Sequence, residues 1–256
     1  MNEKVRYICN KLINLQAPKP HGVNVDNFED IFVYPLKQDP ELRGAIAVDD
    51  GVSKGVLIIK HAGEVIKIPF TGRWDADSFD DAMAEYHYAC EHEDDPNIHP
   101  EDLQEPQAED FFYDFENASL KDTEPHWDYC ALECYIYECA KTAGLSDYFA
   151  REWCVGSSLG HPIYVQERAR MYCDKEESKR YTRAQIDKTF KTCEKINARC
   201  FNAVWIADFI DFYGEAEFKR LAAFLEEYGI TDLHDGNVGY IDDLPVLVDY
   251  SDYREW

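Results

Sequence analysis

The chain has 256 residues, with 51 Asp or Glu against 26 Lys or Arg, and so a net charge of -25. A field of that sign repels phosphate backbones and anionic bilayers, which excludes sequence-independent nucleic-acid binding and docking on acidic membranes. Hydrophobic residues make up 45% of the chain, and no apolar run approaches the roughly 20 residues of a membrane helix, so a folded cytoplasmic protein is expected.

Residues 3–15 predict a short amphipathic helix, with Val5, Ile8, Leu12 and Ile13 on one side. Residues 16–30 read as loop, and 31–35 (IFVYP) as a short strand. A strand-rich block follows over 42–48, 56–60 and 65–70. Gly51-Val52-Ser53-Lys54-Gly55 breaks the first pair and His61-Ala62-Gly63 the second, which is the signature of two consecutive antiparallel hairpins.

Residues 75–125 change character, with 18 Asp or Glu and a single basic residue, Lys121. Phe79, Met83 and Tyr86–Tyr88 predict one amphipathic helix there. The rest is a Pro-interrupted acidic stretch: a solvated insert, or a docking surface for a basic protein partner.

Helical periodicity returns over 127–142 through Tyr129, Leu132, Ile136 and Ala140, and Gly144 supplies a stop. Residues 153–157 and 163–166 read as two more strands joined by the turn SSLGHP. One long amphipathic run over 181–212 and a helix over 215–228, ending at Gly229, come next. The last 25 residues read as loop, short strand, turn and strand. Nine cysteines are scattered with no CxxC, so neither a zinc ribbon nor a redox motif is present. Cys130, Cys134 and Cys139, set among apolar helix residues, read as buried reduced thiols.

The chemistry concentrates at the end. Asp232-Leu-His-Asp-Gly-Asn237 places a carboxylate five residues before an amide. Asp249 follows twelve residues later, behind the aliphatic run Val246, Leu247 and Val248. A hard divalent cation wants oxygen ligands of the kind that Asn237 and Asp249 carry, and Asp232 is a base of the right type for a hydroxyl proton.

DLHDGN resembles the D-L-H-x-G-N catalytic loop of aminoglycoside phosphotransferases and related protein kinase-like enzymes, and Asp249-Tyr250-Ser251 resembles their metal-binding element. The resemblance implies an α+β, two-lobed kinase-like fold. Residues 1–168 would form an antiparallel-sheet N-lobe carrying the acidic insert 75–125. Residues 169–256 would form an abbreviated helical C-lobe, since only seven residues follow Asp249.

The function implied is ATP-dependent transfer of a γ-phosphate to a hydroxyl of a small molecule or protein, with ATP and Mg2+ bound. Asp232 would be the base, and Asn237 and Asp249 the metal ligands. Lys67, in VIKIP, sits where the phosphate-positioning lysine of the third strand stands in that family. Its helix partner would be Glu133, at E-x-x-x-Y spacing, or Glu138. Gly51, Ser53 and Gly55 would form the phosphate turn, and Glu167 and Ala169 the hinge that holds adenine.

The chain departs from the family pattern in having Ile230-Thr231 before Asp232 and Ser251 after Tyr250. These departures and the short C-lobe favour the alternative, a pseudokinase serving as a nucleotide-binding or interaction module. A kinase-fold enzyme with other chemistry, such as nucleotidyl transfer, is a third reading.

Overall fold

The structure is a computed structural model that describes residues 1–16, 22–51, 53–74, 76–92, 97–99, 103–107, 112–114, 128–172 and 181–251. It is an α+β protein built on a five-stranded antiparallel sheet. The sheet comprises β1 (Ile46–Asp50), β2 (Lys54–Ile59), β3 (Glu64–Pro69), β6 (Glu152–Ser158) and β7 (His161–Glu167), in the order β1-β2-β3-β7-β6. The two intervening short strands, β4 (Gly72–Trp74) and β5 (Phe112–Asp114), pair only with each other.

Side chains alternate between the faces of a strand, and here the two faces are chemically distinct. One face carries Leu57, Ile59, Ile66, Ile68, Ile163 and Val165, all buried. It is covered by α1 (Glu3–Ile13), through Val5, Ile8 and Leu12, and by the helical segment 25–37, through Phe28, Phe32, Val33 and Leu36. That segment runs from α2 (Val25–Phe28) through a π-helical turn, Glu29–Val33, into α3 (Tyr34–Lys37).

A strand over 31–35 is therefore not formed, and the loop expected over 16–30 gives way to helix from Val25. Asn24 and Asn27 cap each other reciprocally at the start, a local signal stronger than the β-branched residues that follow. Covering the sheet with Phe28 also fixes Gly55, because a Cβ there would stand 2.3 Å from the Phe28 ring.

The opposite face carries Lys54, Lys67, Tyr164, Gln166 and Glu152, and α5 (Tyr129–Ala143) packs across it. Helix α5 starts where the Asp128 side chain accepts the Ala131 amide at 3.0 Å. It ends at Gly144, whose φ of 69° is the left-handed stop read from the sequence. The Tyr164 hydroxyl of β7 donates to Asp128, which ties the helix start to the sheet.

A second cluster of buried residues joins Ile136 and Ala140 of α5 to α6 (Arg183–Ile196), α7 (Ala203–Tyr213) and α8 (Glu215–Glu227). The single run expected over 181–212 is two helices. Asn197 adopts the left-handed conformation at φ 56°, and the Asn202 side chain restarts the chain by accepting the Trp205 amide. The chain then forms β9 (Val238–Ile241) and β10 (Leu244–Leu247), and β9 pairs on one side with β10 and on the other with β8 (Arg170–Met171).

The helix expected around Phe79 and Met83 is present as α4 (Ala76–Glu91). Most of the acidic stretch after it, and with it any docking surface for a basic partner, lies outside the described residues. The eight cysteines described are all free, and of the three expected to be buried on α5, Cys130 is buried while Cys134 and Cys139 are only partly so. Among the described residues, no helix is long and apolar enough to cross a membrane.

Candidate functional site

The polar face of the sheet meets α5 and the segment after β10 in a buried cluster of charge. Lys67, on β3, is 4% exposed, with Nζ 2.7 Å from Glu133 Oε2 and 2.8 Å from Glu152 Oε2. Lys54, at the start of β2, is 5% exposed, with Nζ 2.5 Å from Glu133 Oε1 and 2.9 Å from Asp249 Oδ1. Each oxygen of the fully buried Glu133 thus receives a different lysine. Gln166 Nε2 adds a donor to Glu133 Oε2 at 3.0 Å and to the Val248 carbonyl at 2.7 Å, which links the sheet to the segment after β10 that carries Asp249.

A buried charge is tolerated only when paired, and here the pairing decides the proton positions. Burial alone would lower both lysines. Asp249 and Glu133 overcome it for Lys54, and above all Glu133 for Lys67, so both stay charged. Partial burial acts to raise Asp249, whose side chain is 37% exposed, but Lys54 and Lys67 hold its carboxyl well below the usual range. Glu152 goes the other way, raised well above 4.5 by burial and by neighbouring Glu133. Its Oε1 is buried with no hydrogen-bond partner, which disfavours the ionised form further.

A pH dependence follows. The folded state retains a proton on Glu152 that the unfolded chain releases above about 4.5, so this group's contribution to stability falls as pH rises from there towards its raised folded pKa. Glu152→Gln keeps a neutral side chain at every pH. It is expected to gain on the wild type in melting temperature as pH is stepped from about 5 to about 8. A parallel pair of curves would place the proton elsewhere.

The expected site residues fall into two groups around this cluster. Lys67, Glu133 and Asp249 belong to it, whereas Glu138 is exposed on α5 and pairs with Lys141 at 3.0 Å. Asp232 and Asn237 lie on the loop between α8 and β9. The Asn237 carbonyl accepts the Val248 amide at 3.0 Å, which brings the loop beside the residue that precedes Asp249. Asn237 is buried, and its Nδ2 donates to the main-chain carbonyl of Asp232 at 2.6 Å. Asp232 is exposed, with Oδ1 3.9 Å from His234 Nε2.

The loop is held at its middle. Asn202 Nδ2 holds Asp235 at 2.7 Å, and a Cβ on Gly236 would stand 2.8 Å from the His234 ring. An open pocket of about 500 Å³ lies over it, with Asp232, His234, Asp235, Arg199 and Phe201 among its lining.

Gly51 and Ser53 stand in the turn between β1 and β2, whereas Gly55 lies within β2, paired with Asp50 and Ile68. The Gly51 amide donates to the Lys54 carbonyl at 3.1 Å and the Phe70 amide to the Ser53 carbonyl at 2.8 Å. Gly55, expected as part of a phosphate turn, is required by its packing on Phe28. Glu167 ends β7 and accepts the Arg151 amide at 3.1 Å. Ala169 is buried in a small apolar cluster with Ala150, Val246 and Val248.

Sequence reasoning passed over Lys54, Glu152 and Gln166. Lys54 was within reach of it. The hairpin at residues 61–63 pairs Val56 with Lys67, and the period of two then sets Lys54 on the same face. Glu152 and Gln166 carried no comparable signal, since their partners are remote in sequence.

No protein-family model matches the chain, nor does any curated protein. Among the described residues, no group of three or more His, Cys, Asp or Glu is arranged to hold a metal ion.

Proposed function

We propose that the chain is an ATP-dependent, kinase-like phosphotransferase of two lobes, residues 1–168 and 169–256, that moves a γ-phosphate to an acceptor hydroxyl. The observation that carries this reading is the Lys67–Glu133 pair, joined within one buried cluster to Asp249 and flanked by the Asp232–Asn237 loop. Lys67, Glu133 and Asp249, chosen from sequence for one chemistry, meet in one cluster, and the loop of Asp232 and Asn237 reaches it through a main-chain hydrogen bond from Val248. The two main apolar clusters, one on the sheet and one among the helices, are what two lobes need.

The donor set fits Mg2+. That ion is characteristically held by one or two protein oxygens together with substrate phosphates rather than by a protein cage. Asp249 and Asn237 would hold it, and it would neutralise phosphate charge. Lys67, fixed by Glu133 and Glu152, would position the phosphates. Ala169 and its apolar neighbours would face the adenine. Asp232, exposed at the open pocket, would orient the acceptor hydroxyl and take its proton. The acceptor oxygen forms the new bond to phosphorus as the bond to the ADP oxygen breaks.

One observation favours the second reading, a nucleotide-binding module without transfer: Asp249 is already paired with Lys54.

Mg-ATP at 100 times its dissociation constant is expected to stabilise the fold by about 2.7 kcal/mol, a rise of roughly 5–10 °C in melting temperature for a chain of this size. Asp249→Ala should lose the shift and Asp232→Ala should keep it. A wild type that melts at the same temperature with and without millimolar Mg-ATP would end the nucleotide reading.

A further inference from the structure

The proposed chemistry uses Lys67 and leaves Lys54 without a task. Lysine ammoniums normally stay in water on their long stems, and burying one is costly unless it is paired. Lys54 is buried at the phosphate-turn end of β2, with one carboxylate of α5 and one beside β10 as its partners. Nothing in β2 demands a lysine for packing, since Gly55, Leu57 and Ile59 fill the apolar face.

The Asp249 partner is the informative one. The Lys54 ammonium stands 2.9 Å from Oδ1 of the carboxylate assigned to the metal. An ammonium and a divalent cation compete for that charge, and a Mg2+ ligand distance of about 2.1 Å brings the cation in closer. Once the carboxylate is taken, Lys54 keeps its pair with Glu133 and has donors to spare for the next anion, which is the polyphosphate. Three donors on a flexible stem suit that exchange.

We propose that Lys54 is a second phosphate-binding lysine, which occupies the cation position on Asp249 until the nucleotide enters. The proposal rests on the nucleotide reading. It adds that the triphosphate is gripped by two lysines, one on each of two paired strands.

An acyl phosphate of ATP donates its acyl group to lysines beside the terminal phosphate, the amine attacking the acyl carbon and ATP leaving. With wild-type protein, peptide mass spectrometry should find the acyl group on Lys54 as well as Lys67, and excess ATP should block both. Label on Lys67 alone overturns the proposal. Label on neither, together with a melting temperature unmoved by Mg-ATP, overturns the nucleotide reading and this proposal with it.

Calorimetry on Lys54→Met adds a second readout. Loss of a charged hydrogen-bonding partner predicts about 10- to 100-fold weaker ATP binding, with AMP affinity nearly unchanged. Mg2+ alone should stabilise the variant more than the wild type, because Asp249 is released. Equal losses for ATP and AMP, or no loss for either, would reduce Lys54 to a structural ion pair. If the variant does not fold, the labelling of the wild type decides the matter.

Discussion

Glu133→Ala is expected to destabilise the protein by about 3–5 kcal/mol, because it removes the carboxylate that two buried ammoniums share. For a chain of this size that is a fall of roughly 6–20 °C in melting temperature. Lys54, Lys67 and Gln166 all lose a partner, and each sits where water does not replace it. The control lies on the same helix: Glu138→Ala removes an exposed carboxylate paired with Lys141 and should stay within about 0.5 kcal/mol of the wild type. Thermal or urea unfolding of the two variants side by side is the measurement. A Glu133→Ala protein that melts with the wild type would mean that the cluster is wet and open rather than buried.

Asp232→Asn is expected to lower turnover by about 10²–10⁴, the usual worth of a positioned base. The loss should lie towards the lower end, because loose phosphoryl-transfer transition states move the proton late. The substitution is mild for the fold. Asn237 clasps the main-chain carbonyl of Asp232, not its carboxylate, so the loop's own hydrogen bond survives. Nucleotide affinity should therefore hold. Single-turnover transfer from labelled ATP, with binding measured in parallel, separates the two effects. Equal rates for wild type and variant would remove Asp232 from the chemistry, and an inactive wild type that still binds ATP would favour the non-transferring module.

Four of the five sheet strands were legible to within two residues as short apolar runs bounded by glycine or a polar turn, while the first, expected over 42–48, forms at Ile46–Asp50 with residues 42–45 in turn. Helix α5 was legible through its apolar repeat and Gly144. The segment 25–37 was misread because IFVYP has strand composition, while the cap formed by Asn24 and Asn27 and the sheet face waiting to be covered override it. Splitting 181–212 into two helices depends on Asn197 and Asn202, polar residues that an apolar repeat passes over.

At the site, the sequence pointed to residues with a motif around them: Asp232, Asn237, Asp249 and Lys67. It preferred Glu133 to Glu138 on spacing, and only Glu133 faces the sheet. Lys54, Glu152 and Gln166 have no motif. Their importance is created by tertiary burial, where every charge must find a countercharge whatever its distance along the chain.

Helix α5 buries Glu133, Ile136 and Ala140 along one face, Glu133 against the sheet and, further along, Ile136 and Ala140 against the helical cluster. Tyr250, fully buried, donates its hydroxyl to the Ala150 carbonyl at 2.8 Å, and the Ala150 amide donates to Leu247. The last elements of the chain are thereby stitched to the stretch between α5 and β6. Neither apolar cluster can lose its order without unseating a residue that the other depends on. Denaturation is then a concerted event, and the slowest-exchanging amides of the molecule belong at this seam, around Ala150 and Val248, rather than at the centre of either cluster.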